Sequence, residues 1–103
     1  LGGYIMILHT LNKTRAREDI NHQLSENIST KDSVILIEDA VYQCVSIEHN
    51  SIAHWGNIAN QVYALKEDAL ARGIPLDLPS ITFVDYEEFV SLTLSHSKVI
   101  SWY

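Results

Sequence analysis

Cysteine, glycine and basic residues are scarce in this chain, and each shortage removes a class of protein. The single cysteine, Cys44, excludes an intrachain disulfide framework and every paired-cysteine redox or metal motif. Of the four glycines, Gly2 and Gly3 precede the first apolar run while Gly56 and Gly73 stand alone. No loop is therefore built to cradle a phosphate, and no nucleophile elbow is present. Seven bases face thirteen acids, a formal net charge of -6. The only basic cluster, Lys13, Arg15 and Arg17, runs straight into Glu18 and Asp19. Phosphate neutralisation needs a basic stripe, so direct binding of nucleic acid is not expected. Apolar runs of membrane length and a signal-peptide pattern are both missing, which points to a reducing cytoplasm and away from a membrane.

What remains is a chain of 103 residues, 47% hydrophobic, suited to one packed domain. Residues 1–5 precede Met6 and read as an expression remnant or a longer natural start, leaving 6–103 as the domain. Four apolar runs have strand length: 5–8, 34–37, 62–65 and 81–84, with 99–102 a weaker fifth. The first two do not alternate with polar residues, as expected of strands covered on both faces. Between them, Ile20, Leu24 and Ile28 recur every four residues, one apolar stripe on a helix over about 17–28. A short helix is expected over 40–47 and another over 66–72, the latter closed by Gly73 and Pro75. Asp85-Tyr86-Glu87-Glu88 has the form of a capping box, after which Tyr86, Phe89, Val90 and Leu94 are expected to face the core. Alternating strands and helices predict a three-layer α/β/α domain with a mostly parallel five-stranded sheet.

Ligands in such sheets gather at the carboxyl ends of the strands. His9 is expected after the first strand, Asp39 after the second and Asp85 after the fourth. The two aspartates read as helix N-caps, their carboxylates accepting from free backbone N–H groups. His9 is either a packed, hydrogen-bonded residue or part of a binding rim. Glu38-Asp39 follows the second strand, so it does not fit the acidic pair of phospho-accepting receiver domains. His49 and His54 lie about 140° apart around a helix and lack further zinc ligands. Cys44 shares a helical face with Val41 and Val45, has acids nearby and no adjacent base, and so reads as a small apolar core residue. Tyr86 and Trp102, large aromatics near element ends, are interface candidates. The residues call for no catalytic group, cofactor or metal.

Several motifs occur together in an order that resembles one family. They are Leu8-His9-Thr10-Leu11-Asn12-Lys13 after a Met-led strand, Ile37-Glu38-Asp39-Ala40-Val41, and Val62-Tyr63-Ala64-Leu65. Glu67-Asp68 and Ala71-Arg72-Gly73 follow, then Val84-Asp85-Tyr86, Phe89-Val90 and Leu92-Thr93. From Met6 to Trp102 the chain resembles the TusB/DsrH family. That resemblance implies a DsrE/DsrF/DsrH-like fold and a non-catalytic place in a cytoplasmic sulfur-relay heterohexamer with TusC-like and TusD-like subunits. A TusA-like donor and a TusE-like acceptor are its indirect partners, and the pathway ends in 2-thiouridine at the tRNA wobble position. Some DsrH-like members carry a cysteine in the first helical region, where this chain has none, so no family cysteine role carries over to Cys44. The alternatives are a DsrH-like subunit in sulfur oxidation and a stand-alone small sulfurtransferase using Cys44.

Overall fold

A computed structural model describes residues 5–13, 24, 26–45 and 61–102. The strands are β1 (Ile7–Leu11), β2 (Ser33–Leu36), β3 (Gln61–Leu65), β4 (Thr82–Val84) and β5 (Lys98–Trp102). A 3-10 helix, η1 (Glu38–Cys44), follows β2, α1 (Lys66–Ala71) follows β3, and α2 (Tyr86–Ser95) follows β4. All five strands are parallel, in the order β4-β3-β2-β1-β5.

The order explains where the helices lie. From β1 to β4 the chain steps always in one direction, whereas the step to β5 returns past β1. Crossovers of a single hand put the first connections on one face and the last on the other. Accordingly Leu24, Ile28, Ala40, Val41 and Ala69 pack against Leu11, Val34, Leu36, Val62 and Ala64. On the opposite face Phe89 and Leu92 of α2 pack against Leu8, Ile35, Tyr63 and Val84. This is the three-layer α/β fold, and its sheet is wholly rather than mostly parallel. Each fully buried Leu, Ile or Val contributes about 1.5–3 kcal/mol, which makes β1 and β2 the energetic centre.

The expected elements form with shifted edges. β1 runs three residues beyond its apolar stretch because His9 and Thr10, though polar, are buried and hydrogen-bonded. The helix expected over 40–47 is η1, and the expected helix over 17–28 is described only at its end. There Leu24 and Ile28 are buried and Ile28 N–H donates to Leu24 C=O at 3.0 Å. His49, His54 and Gly56 lie outside the described residues. α1 ends in a Schellman turn: Gly73 N–H bonds Leu70 C=O at 3.2 Å and Ile74 N–H bonds Ala69 C=O at 2.9 Å. Gly73 sits at φ +70, where a side chain would be strained.

The expected core stripe of α2 is corrected. Only Phe89 of the four faces the sheet, joined by Leu92, while Tyr86, Val90 and Leu94 are 62, 43 and 81% exposed. Positions four apart drift about 40° around a helix at each step, so 86, 90 and 94 climb one flank away from the 89–92 line.

Candidate functional site

The acids at the carboxyl ends of β2, β3 and β4 tie neighbouring loops together. Asp85 caps α2: its Oδ1 accepts from Glu88 N–H at 2.8 Å, and Glu88 Oε1 accepts from Asp85 N–H at 3.1 Å. The capping box is therefore present as its sequence implies. Asp39 is not a cap. The cap position of η1 is Ile37, which places Asp39 inside the first turn, where Arg72 Nε and Nη2 both donate to its Oδ1 at 3.0 Å. Asp68 does the capping instead, its Oδ2 accepting from Glu38 N–H at 2.6 Å. That bond holds Glu38 at φ 50, a left-handed conformation that costs a non-glycine residue about 1 kcal/mol. On the other side Glu67 Oε2 accepts from Tyr86 N–H at 3.2 Å. Beside α2 a groove of about 460 Å³ is lined by Tyr63, Thr82, Val84, Asp85, Glu87, Glu88, Ser91 and Leu92.

His9 stands apart from this rim. It is the third residue of β1 rather than a residue after it, and it is 1% exposed. Trp102 Nε1–H donates to its Nδ1 at 3.0 Å, with the two rings stacked at 6.1 Å. An indole N–H can only donate, so Nδ1 is the acceptor and the proton sits on Nε2. Nε2–H in turn donates to Asp32 Oδ2 at 2.9 Å. Asp32, 2% exposed, also accepts from Ile7 N–H at 3.2 Å and Ser29 N–H at 3.1 Å. Burial alone would raise the Asp32 pKa; the bonds from His9, Ile7 and Ser29 outweigh it and hold the carboxyl below its ordinary value.

Two candidates, His9 and Trp102, are thus brought together, but as a buried brace between β1 and β5, with Asp32 as third member. Sequence reasoning missed Asp32. Its signal was present only in the pairing: Leu8 lies opposite Ser33, so the residue before Ser33 comes beside β1.

The strand order reverses at β1 and β5, the crevice where such sheets usually bind ligands. Near it Gln43 Nε2 donates to Lys13 C=O at 3.1 Å. Cys44, the last residue of η1, is half-buried and packs against the core, one 3-10 turn after Val41; Val45 is exposed. Burial pushes its thiol up to about 11, leaving roughly one thiolate in ten thousand at neutral pH. Among the described residues no three His, Cys, Asp or Glu side chains are placed to hold a metal, and no helix is long and apolar enough to cross a membrane.

The fold and rim define a small parallel α/β domain whose described polar groups brace loops and strands. A family model described as DsrH like protein matches residues 15–99. Protein TusB of Escherichia coli O139:H28 (strain E24377A / ETEC) is 33% identical over 97 residues, covering 93% of this chain and 100% of the relative. The same figures hold for Protein TusB of Shigella boydii serotype 18. The crystal structure of the ychN protein from E. coli superposes with a TM-score of 0.69 at 15% identity, over 96% of this chain and 99% of that one, a likeness of fold. The chain belongs to the DsrH-like family.

Proposed function

We propose that residues 6–103 form a non-catalytic subunit of a cytoplasmic TusBCD-type sulfur-relay complex, with TusC-like and TusD-like chains as partners. The complex takes persulfide sulfur from a TusA-like donor and passes it through a TusE-like acceptor toward 2-thiouridine at the tRNA wobble position. The observation that carries this reading is the full-length similarity to Protein TusB. The state of Cys44 agrees with it. A relay cysteine must be open to another protein's persulfide and substantially ionised, and Cys44 is half-buried with a thiol near 11.

Co-expression with the cognate TusC-like and TusD-like chains tests the proposal. The expected result is a stable assembly of defined stoichiometry, and loss of wobble thiolation in cells lacking this chain. A chain that stays separate from both partners at micromolar concentration refutes it. So does a sulfur adduct on Cys44 after loading with a persulfide donor, if folded Cys44→Ser and Cys44→Ala variants have both lost activity.

A further inference from the structure

The outward flank of α2 is more apolar than a solvated helix needs. Tyr86, Val90 and Leu94 form one stripe at four-residue spacing, and Leu94 is the most exposed large apolar side chain among the described residues. Val99 of β5 pairs with Leu8, so it points to the same side of the sheet as α2, and it too is exposed. The Tyr86 ring rests edge-on against Phe89 at 6.3 Å, and its backbone N–H, accepted by Glu67, fixes the start of the helix that carries it. An exposed aromatic beside aliphatic groups is what the core of an interface is made of.

The other flank of α2 is acidic. The groove there carries Asp85, Glu87 and Glu88 together with the hydroxyls of Tyr63, Thr82 and Ser91, and α2 contains no Lys or Arg. This charge decides the occupant. A second copy docking α2 on α2 would bring no positive charge to this groove, because α2 itself carries none and the chain is already at -6. A partner bearing Lys or Arg meets complementary charge on one side of the helix and apolar surface on the other.

We infer that α2 is a docking ridge for a non-identical protein subunit, which packs apolar side chains on Tyr86, Val90 and Leu94 and places a Lys or Arg in the acidic groove. This inference rests on the proposed membership of a heteromeric complex and assigns the face that makes it.

The test uses the full chain co-expressed with the cognate TusC-like and TusD-like subunits. Leu94→Asp and Val90→Asp put charge on exposed positions and are expected to leave the melting curve of the isolated chain unchanged. Each should weaken capture of at least one partner tenfold or more. Glu87→Lys, away from the capping box, should weaken the same partner and flatten the salt dependence of binding. Wild-type chain that captures neither partner sinks the membership itself. Wild-type capture with all three folded variants binding within twofold of it overturns the ridge and leaves membership standing. Self-association of the isolated chain that Leu94→Asp abolishes also overturns it, in favour of a second copy.

Discussion

Replacing Asp32 with Asn removes one charge and changes almost no volume, yet the geometry predicts a large loss. The carboxylate receives three donors: His9 Nε2–H and Ser29 N–H at Oδ2, and Ile7 N–H at Oδ1. An amide offers one oxygen. With that oxygen toward Ile7, the NH2 confronts two donors; with it reversed, the NH2 confronts Ile7 N–H. His9 cannot relieve the conflict by moving its proton to Nδ1, because Trp102 already donates there. At least one buried N–H is left facing another, at about 1–3 kcal/mol, and charge-assisted bonds become ordinary ones. Together the loss should be about 2–4 kcal/mol, a substantial share of the stability of a domain this size. Urea denaturation at neutral pH measures it, and the thermal midpoint should fall by roughly 8 °C or more. The acid limb gives a second readout. The bonded carboxyl of Asp32 ionises below its ordinary value, so its contribution is present above the pKa of the unfolded chain and lost as pH falls through the folded one. Wild type should therefore lose stability in acid faster than Asp32→Asn, and the two curves should converge. A variant within about 0.5 kcal/mol of wild type at neutral pH refutes the reasoning.

Three further outcomes follow from other parts of the molecule. Alkylation of Cys44 by a small reagent should keep accelerating past pH 9, since its thiol ionises near 11; a rate already level at pH 8 contradicts that environment. Gly73→Ala should cost about 1 kcal/mol in chemical denaturation from backbone strain alone, because no atom lies within 4 Å of the added methyl; an unchanged midpoint refutes this. Isolated chain should show no sub-micromolar binding to tRNA at physiological salt, as filter binding across a salt series would reveal; tight binding with a steep salt slope counts against it.

Features written in consecutive residues were legible before the fold was known. The apolar runs 5–8 and 34–37 announced a sheet covered on both faces, and Asp85 and Glu88, three residues apart, announced a helix start. Gly73 marked the end of α1 for the same local reason. Misreadings occurred where a partner distant in sequence decides. Asp39 looked like a cap, but Asp68 reaches across from α1 to take that task and Arg72 claims Asp39. His9 looked like the residue after a strand, because nothing beside it in sequence shows that Asp32 and Trp102 would satisfy it inside one. The α2 stripe was misassigned because period alone cannot say which of two adjoining apolar lines a sheet will cover; Phe89 and Leu92 won.

The pairing of β1 with β5 has a consequence for how the chain is made. Met6 and Ser97, bonded in the finished sheet, are 91 positions apart, so one side of β1 emerges from the ribosome long before its neighbour. Throughout that interval β1 presents unpaired amides along one side, a surface open to other nascent chains. Closing so long a loop is entropically slow, and sheets dominated by such pairings fold late. The Trp102 hydrogen bond that completes His9 can form only once residue 102 has been made, and a synthesis halted before residue 98 would leave β1 with a raw edge.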